Sequence, residues 1–205
     1  WTNSASTEGE KDSITNVPAN SRYEEVDTRR IYRRVVSSTS GNTMAGSSTG
    51  TNTGGVDYGT YKQITGLTSG DQITHAILNI KTASTNIKVG IYTDSGSNRP
   101  SALLASGSAS VSVSDYTDVS IELDGVATVP SNGKVWVGMY PEASIVPRKS
   151  VDSASYSASI HDSGGTSYAN AMPSPATFAG SPEGTYNVRF GVTTGSVWIE
   201  RNTAT

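Results

Sequence analysis

The sequence predicts an all-β protein built as an antiparallel sandwich of about eight strands. Short apolar/polar alternations recur from about Val56 onward, and Gly, Asn, Asp and Pro separate them at close intervals. No segment has convincing helical periodicity, although "SALLASG", 101–107, has room for a single turn. Period-two runs bounded by turn residues are the pattern of half-buried strands.

Taken in order, "SRYEEVDTRRIYRRVV" (21–36) packs eight charged residues into a chain that is only 16% charged. Ser37 to Gly55 then carries no charge: seventeen of nineteen residues are Ser, Thr, Gly or Asn, a composition that reads as a flexible connection. After it come the strands. Ala76, Leu78 and Ile80 share one face, as do Ile87, Val89 and Ile91; Val119, Ile121 and Leu123; Val135, Val137 and Met139; and Val188, Phe190 and Val192. Ser69-Gly70-Asp71, the loop "DSGSNRP" from Asp94, Asp124-Gly125 and Asn132-Gly133 supply the turns.

A chain of 205 residues can bury roughly 70% of its unfolded surface and needs no staple. Without cysteine it has neither disulfides nor thiolate metal sites. A formal charge of -3 and the interleaving of acids with the arginines argue against nucleic acid, and no apolar run is long enough to insert in a membrane. Rich Ser, Thr, Gly and Asn suggest an exterior setting. With Trp1 at its start, the sequence reads as a processed or excised piece of something longer.

Residues 87–94, "IKVGIYTD", and 135–142, "VWVGMYPE", echo one another. On strands this places Gly90 with Tyr92, and Gly138 with Trp136 and Tyr140, opposite the aliphatic core. A glycine beside an outward ring leaves that ring open for a planar ligand or for a covering loop.

Catalytic chemistry finds little to work with. "GSSTG", 46–50, matches a nucleophile-elbow pattern inside a low-complexity tract, without the strand and helix the elbow requires. His75 and His161 read as surface or loop-anchoring residues. Asp118, Glu122 and Asp124 share one strand face at steps of about 6.6 Å, which suits a carboxylate pair but is equally the solvated side of a strand. The loop Asp94 to Asn98 offers oxygens at alternate positions and reads as an Asx-turn rather than a calcium loop. No cofactor or metal is expected.

Two resemblances add to this reading. "IKVGIYTDSGSNRPSALLASGS", followed by "VSIEL" and "GKVWVGMY", resembles the jelly-roll, lectin-like sandwich modules of viral tail-fibre proteins, secreted adhesins and carbohydrate-active enzymes, over roughly 56–193. "ITNVPANSRYEEVDTRRIYRR" resembles a short module of tailed-virus structural proteins whose second half, a turn and "x-W-x-E", is here matched by "TTGSVWIERNTAT" at 193–205. The resemblance implies a split module: 1–36 completed by 194–205, with 37–55 as a joint and the jelly-roll of 56–193 inserted between. Asp27-Thr28 would form its hairpin turn, Tyr23, Ile31, Tyr32 and Trp198 its small core, and Arg29 and Arg30 would join cross-strand or intersubunit pairs. Trp1-Thr2 echoes Trp198-Ile199, as one unit of a longer array would.

The function these resemblances imply is non-enzymatic: a virion-surface fibre or capsid-decorating protein, extracellular, homo-oligomeric (a trimer favoured) and in contact with other virion structural proteins. Its lectin-like domain would meet host-surface glycans or neighbouring subunits. A glycan would use Trp136, Tyr140, Tyr92 and Arg189 on the outer sheet face, with Asp94 and Asn98 at a loop. A carbohydrate-binding accessory module of a secreted enzyme, or a subunit of an extracellular cellular filament or surface layer, are the alternatives.

Overall fold

The computed structural model describes residues 2–5, 20–25, 30–35, 37, 40–46, 48–50, 59–150, 159–162, 168, 171–176 and 187–201. Every regular element among them is a strand: β1 (Thr2–Ala5), β2 (Arg22–Glu25), β3 (Ile31–Val35), β4 (Gly41–Ala45), β5 (Gly59–Ile64), β6 (Gln72–Asp94), β7 (Pro100–Thr128), β8 (Val135–Pro141), β9 (Val146–Pro147), β10 (Lys149–Ser150), β11 (Ser159–Asp162), β12 (Asn187–Val188), β13 (Phe190–Thr194) and β14 (Val197–Arg201).

The main sheet has eight strands in the order β11-β5-β8-β6-β13-β4, with β7 and β9 also paired to β6, and all its pairings are antiparallel. Its organiser is the β6–β7 ribbon. The first arm of β6, Ile73 to Leu78, lies between β13 and the second arm of β7, while its second arm, Ile87 to Thr93, lies between β8 and the first arm of β7. Register slips between Ile80 and Thr82, and again before Thr85, mark the elbow between the arms. Unpaired bulge residues bend a ribbon in this way.

Bending brings the two halves of the sheet around one apolar core. All five aliphatic faces expected from the alternation meet in it, with Leu78, Ile80, Val89, Ile91, Val137 and Phe190 fully buried. The sheet nearly closes where the arms of β7 meet: a Cβ on Gly107 would lie 2.0 Å from the Glu122 carbonyl oxygen. Only a residue without a side chain permits that backbone approach.

Three sequence expectations change. The runs ending at Thr82 and beginning at Asn86 are one strand of 23 residues, because the polar "KTASTN" forms the elbow instead of a loop. "SALLASG" belongs to the 29-residue β7 and has no helical turn. The uncharged tract is more than a connection, since Gly41–Ala45 pairs along β13. Backbone bonding needs no apolar side chains, and Gly191 leaves room for Met44: a Cβ there would sit 2.4 Å from the Met44 sulfur.

The second sheet is built from both ends of the chain, in the order β1-β2-β3-β14. β2 and β14 flank β3 antiparallel, and β1 joins β2 in parallel. Ser37 fastens it to the main sheet: its hydroxyl donates to the Gly195 carbonyl (2.7 Å) and accepts from the Gln72 amide (2.8 Å). The Gly195 amide in turn bonds the Gln72 carbonyl at 2.9 Å. The start of the uncharged tract is therefore anchored.

Candidate functional site

The outer face of β5, β6 and β8 carries a second, aromatic cluster of Tyr61, Tyr92, Trp136 and Tyr140. The echoed segments pair with each other here, Gly90 opposite Gly138, Tyr92 opposite Trp136 and Lys88 opposite Tyr140. Because the register reverses about the Gly90–Gly138 pair, the two copies of the pattern are related by a local two-fold axis through it. The glycines make space for rings. A Cβ on Gly138 would come within 2.9 Å of the Tyr61 ring and 3.0 Å of the Tyr92 ring; one on Gly90 would meet Tyr92 at 2.8 Å. A Cβ on Gly59 would come as close, 2.8 Å, to the Tyr140 ring.

Tyr61 meets Tyr92 and Tyr140 edge to face, with centroids 5.7 and 5.9 Å apart. The Tyr61 and Tyr140 hydroxyls are hydrogen bonded. Among the described residues the buried Tyr92 hydroxyl closes no hydrogen bond. Burial pushes its phenol well above the ordinary tyrosine range, the Tyr140 hydroxyl adds to this, and the adjacent Tyr61 hydroxyl partly offsets it.

Asp94 organises the rim. Its Oδ1 accepts from Trp136 Nε1 (2.8 Å) and Gln63 Nε2 (2.9 Å), and its Oδ2 accepts the Gly96 amide at 3.1 Å, which is the expected Asx-turn. Asn98 lies exposed in the same loop with φ 53°, a left-handed conformation that asparagine tolerates.

These positions revise the stacking platform. Trp136, Tyr92 and Tyr140 do come together, but Trp136 and Tyr92 are fully buried and Tyr140 is 2% exposed. Leu103, Met172 and Ala176 pack over them. The cover is tied down by the Ala176 amide to the Ser101 carbonyl (2.8 Å) and the Leu103 amide to Ser174 Oγ (3.3 Å). A sugar cannot stack on rings already covered, so the open-platform role of these three residues is not available in this structure. The covering segment has no alternating pattern, which is why the sequence alone left the choice open.

Arg189 stands elsewhere. Its amide bonds the Arg148 carbonyl (3.0 Å), and its carbonyl accepts the Asn79 amide (3.0 Å), on the β13 half of the sheet. Around it is a polar network that sequence reasoning did not identify. Arg148 lies 4.5 Å over the Tyr116 ring and donates to Asn79 Oδ1 and the Ser48 carbonyl, and Asn79 Nδ2 reaches Asp118. The neighbouring Lys149 is buried, and burial holds its ammonium below the usual lysine range.

The remaining candidates separate as well. Asp118, Glu122 and Asp124 are exposed on β7, which among the described residues pairs only with β6. His75 contacts Thr74 Oγ1 at 2.9 Å and stands in register with Glu122. In the chain-end sheet, Tyr23 and Tyr32 pair in register with centroids 6.2 Å apart and are buried. Ile31 precedes Tyr32 on the same strand, so alternation turns it to the other face, where it is half-buried instead of joining the tyrosines. Arg30 is exposed, the Trp198 backbone pairs with Arg34, and Arg29 with the Asp27-Thr28 turn lies outside the described residues. Arg22 reaches Glu24 on its own strand at 3.5 Å, with both side chains about half exposed, a pair worth little in water.

Comparison with protein-family models, with curated proteins and with solved structures gives no match.

Proposed function

We propose that this chain is a non-enzymatic structural subunit that works by contact and assembly, as a fibre or capsid-decorating protein at a virion surface. In this reading the main sheet is a jelly-roll body and the chain-end sheet is its assembly element. The virion setting and the jelly-roll topology rest on the resemblance of "RYEEVDTRRIYRR", "VWIE" and the glycine-aromatic strands to such proteins.

The observation that carries the assembly role is the chain-end sheet. It has four strands of four or five residues, and among its described side chains the buried hydrophobic ones are Tyr23 and Tyr32. Sheets this small are marginal by themselves, and subunit association is a common way to stabilise them. A body whose aromatic face is already covered fits this role better than it fits glycan stacking.

Sedimentation of the full chain across a concentration range tests the reading. The expected result is a homo-oligomer, a trimer favoured; a monomer at every concentration overturns it. A glycan panel run beside it distinguishes the attachment reading. Saturable binding unaffected by Asp94→Ala and Asn98→Ala would place any glycan site away from the rim of the aromatic cluster.

A further inference from the structure

The chain-end sheet has two outer strands, and their directions are fixed by the pairings already described. β1 runs parallel to β2, β2 antiparallel to β3, and β3 antiparallel to β14. Two reversals cancel, so β1 and β14 point the same way at opposite edges. Neither pairs with a further strand among the described residues.

Neither edge carries a proline, and charge is confined to the last two residues of β14, Glu200 and Arg201. β1, "TNSA", has no charge and no proline, and β14 begins "VWI", three residues of high strand propensity. Rows of the sheet run level across it: Thr2, Arg22, Arg33 and Ile199 form one row, and Ser4, Glu24, Ile31 and Arg201 another. Thus the two edges overlap in height.

We infer that the outer edge of β14 in one copy pairs in parallel with the outer edge of β1 in a second copy of this chain, head to tail. This rests on the assembly reading and names its interface. Two-fold pairing of β14 with β14 would be antiparallel and would leave both β1 edges open. Head-to-tail pairing satisfies both edges with one repeated contact, and it closes into a ring or continues as an array according to the rotation between copies. The occupant of each edge is therefore the opposite edge of an identical chain.

Absence of native cysteine makes cross-linking a clean test. Thr2→Cys and Ile199→Cys chains, and separately Ser4→Cys and Arg201→Cys chains, are co-expressed as mixtures and also expressed singly, then oxidised. Head-to-tail pairing gives a disulfide-linked dimer in at least one mixture, severalfold above either single variant. A cross-link formed by one variant alone overturns the inference in favour of two-fold pairing. No cross-link in either mixture also overturns it, and the wild-type sedimentation result then separates the two ideas: an oligomer preserves the assembly reading with another interface, whereas a monomer removes both.

Discussion

In the main sheet, β6 buries aliphatics on one face and Tyr92 on the other, so side chains hold it from both sides. Among the described side chains, the chain-end sheet contributes two tyrosines to the buried set, while Arg22, Glu24 and Arg30 stand exposed. Both sheets use the same backbone ladders, which shows that pairing alone does not distinguish a self-sufficient sheet from a dependent one. What differs is how much apolar surface each strand removes from water. The main sheet should therefore fail as a unit, and the smaller one should open by itself.

The largest effect is expected at Gly107. Valine there would drive a Cβ into the Glu122 carbonyl and separate the arms of β7, with a loss on the order of 5 kcal/mol. Circular dichroism melting should show no cooperative transition near the wild-type one, and a near-normal melt would mean that the close approach is dispensable. Trp136→Ala comes next, at about 4 kcal/mol, since it empties a fully buried site and leaves Asp94 without its indole donor. Denaturant titration measures it, and a loss under about 1 kcal/mol would show that the aromatic face is not a second core.

Ser37→Ala should cost about 1 to 2 kcal/mol, and mostly at the joint. Hydrogen exchange should quicken in β3 and β14 while β6 stays protected; equal quickening in both sheets would erase the distinction between them. The smallest change is Tyr92→Phe, which removes a buried hydroxyl that has no hydrogen bond among the described residues and should shift stability at neutral pH by less than about 1 kcal/mol. At high pH it should matter more. The folded Tyr92 keeps its proton where the unfolded one, above about pH 10, releases it, so wild-type stability falls as pH rises through that range. The phenylalanine variant should fall less steeply, while Lys149 is common to both proteins and cancels in the comparison.

The aliphatic faces were legible because their alternation survives in single runs such as Ile87, Val89 and Ile91. The placement of Trp136, Tyr92 and Tyr140 on the opposite face was legible for the same reason. Their burial was not, because it depends on Met172 and Ala176, about 30 or more residues beyond Tyr140, in a segment without periodicity. The continuity of β6 and the presence of β4 were hidden for a different reason. Polar, glycine-containing stretches can complete a ladder through backbone groups, leaving little trace in the side-chain pattern. The Arg148 network was hidden because it joins Ser48, Asn79 and Asp118 from distant parts of the chain.

The antiparallel contact between β3 and β14 also determines how the molecule would carry load. Ile31 faces Arg201 at the end away from the joint, and Val35 faces Val197 beside it. Tension between the outer ends of these strands would peel their ladder one rung at a time, the weak direction for a β pair, and would reach the main sheet only after the last rung at Val35 had parted. Under a pull the chain-end sheet would act as a fuse, lengthening the molecule at low force while the larger body stayed folded.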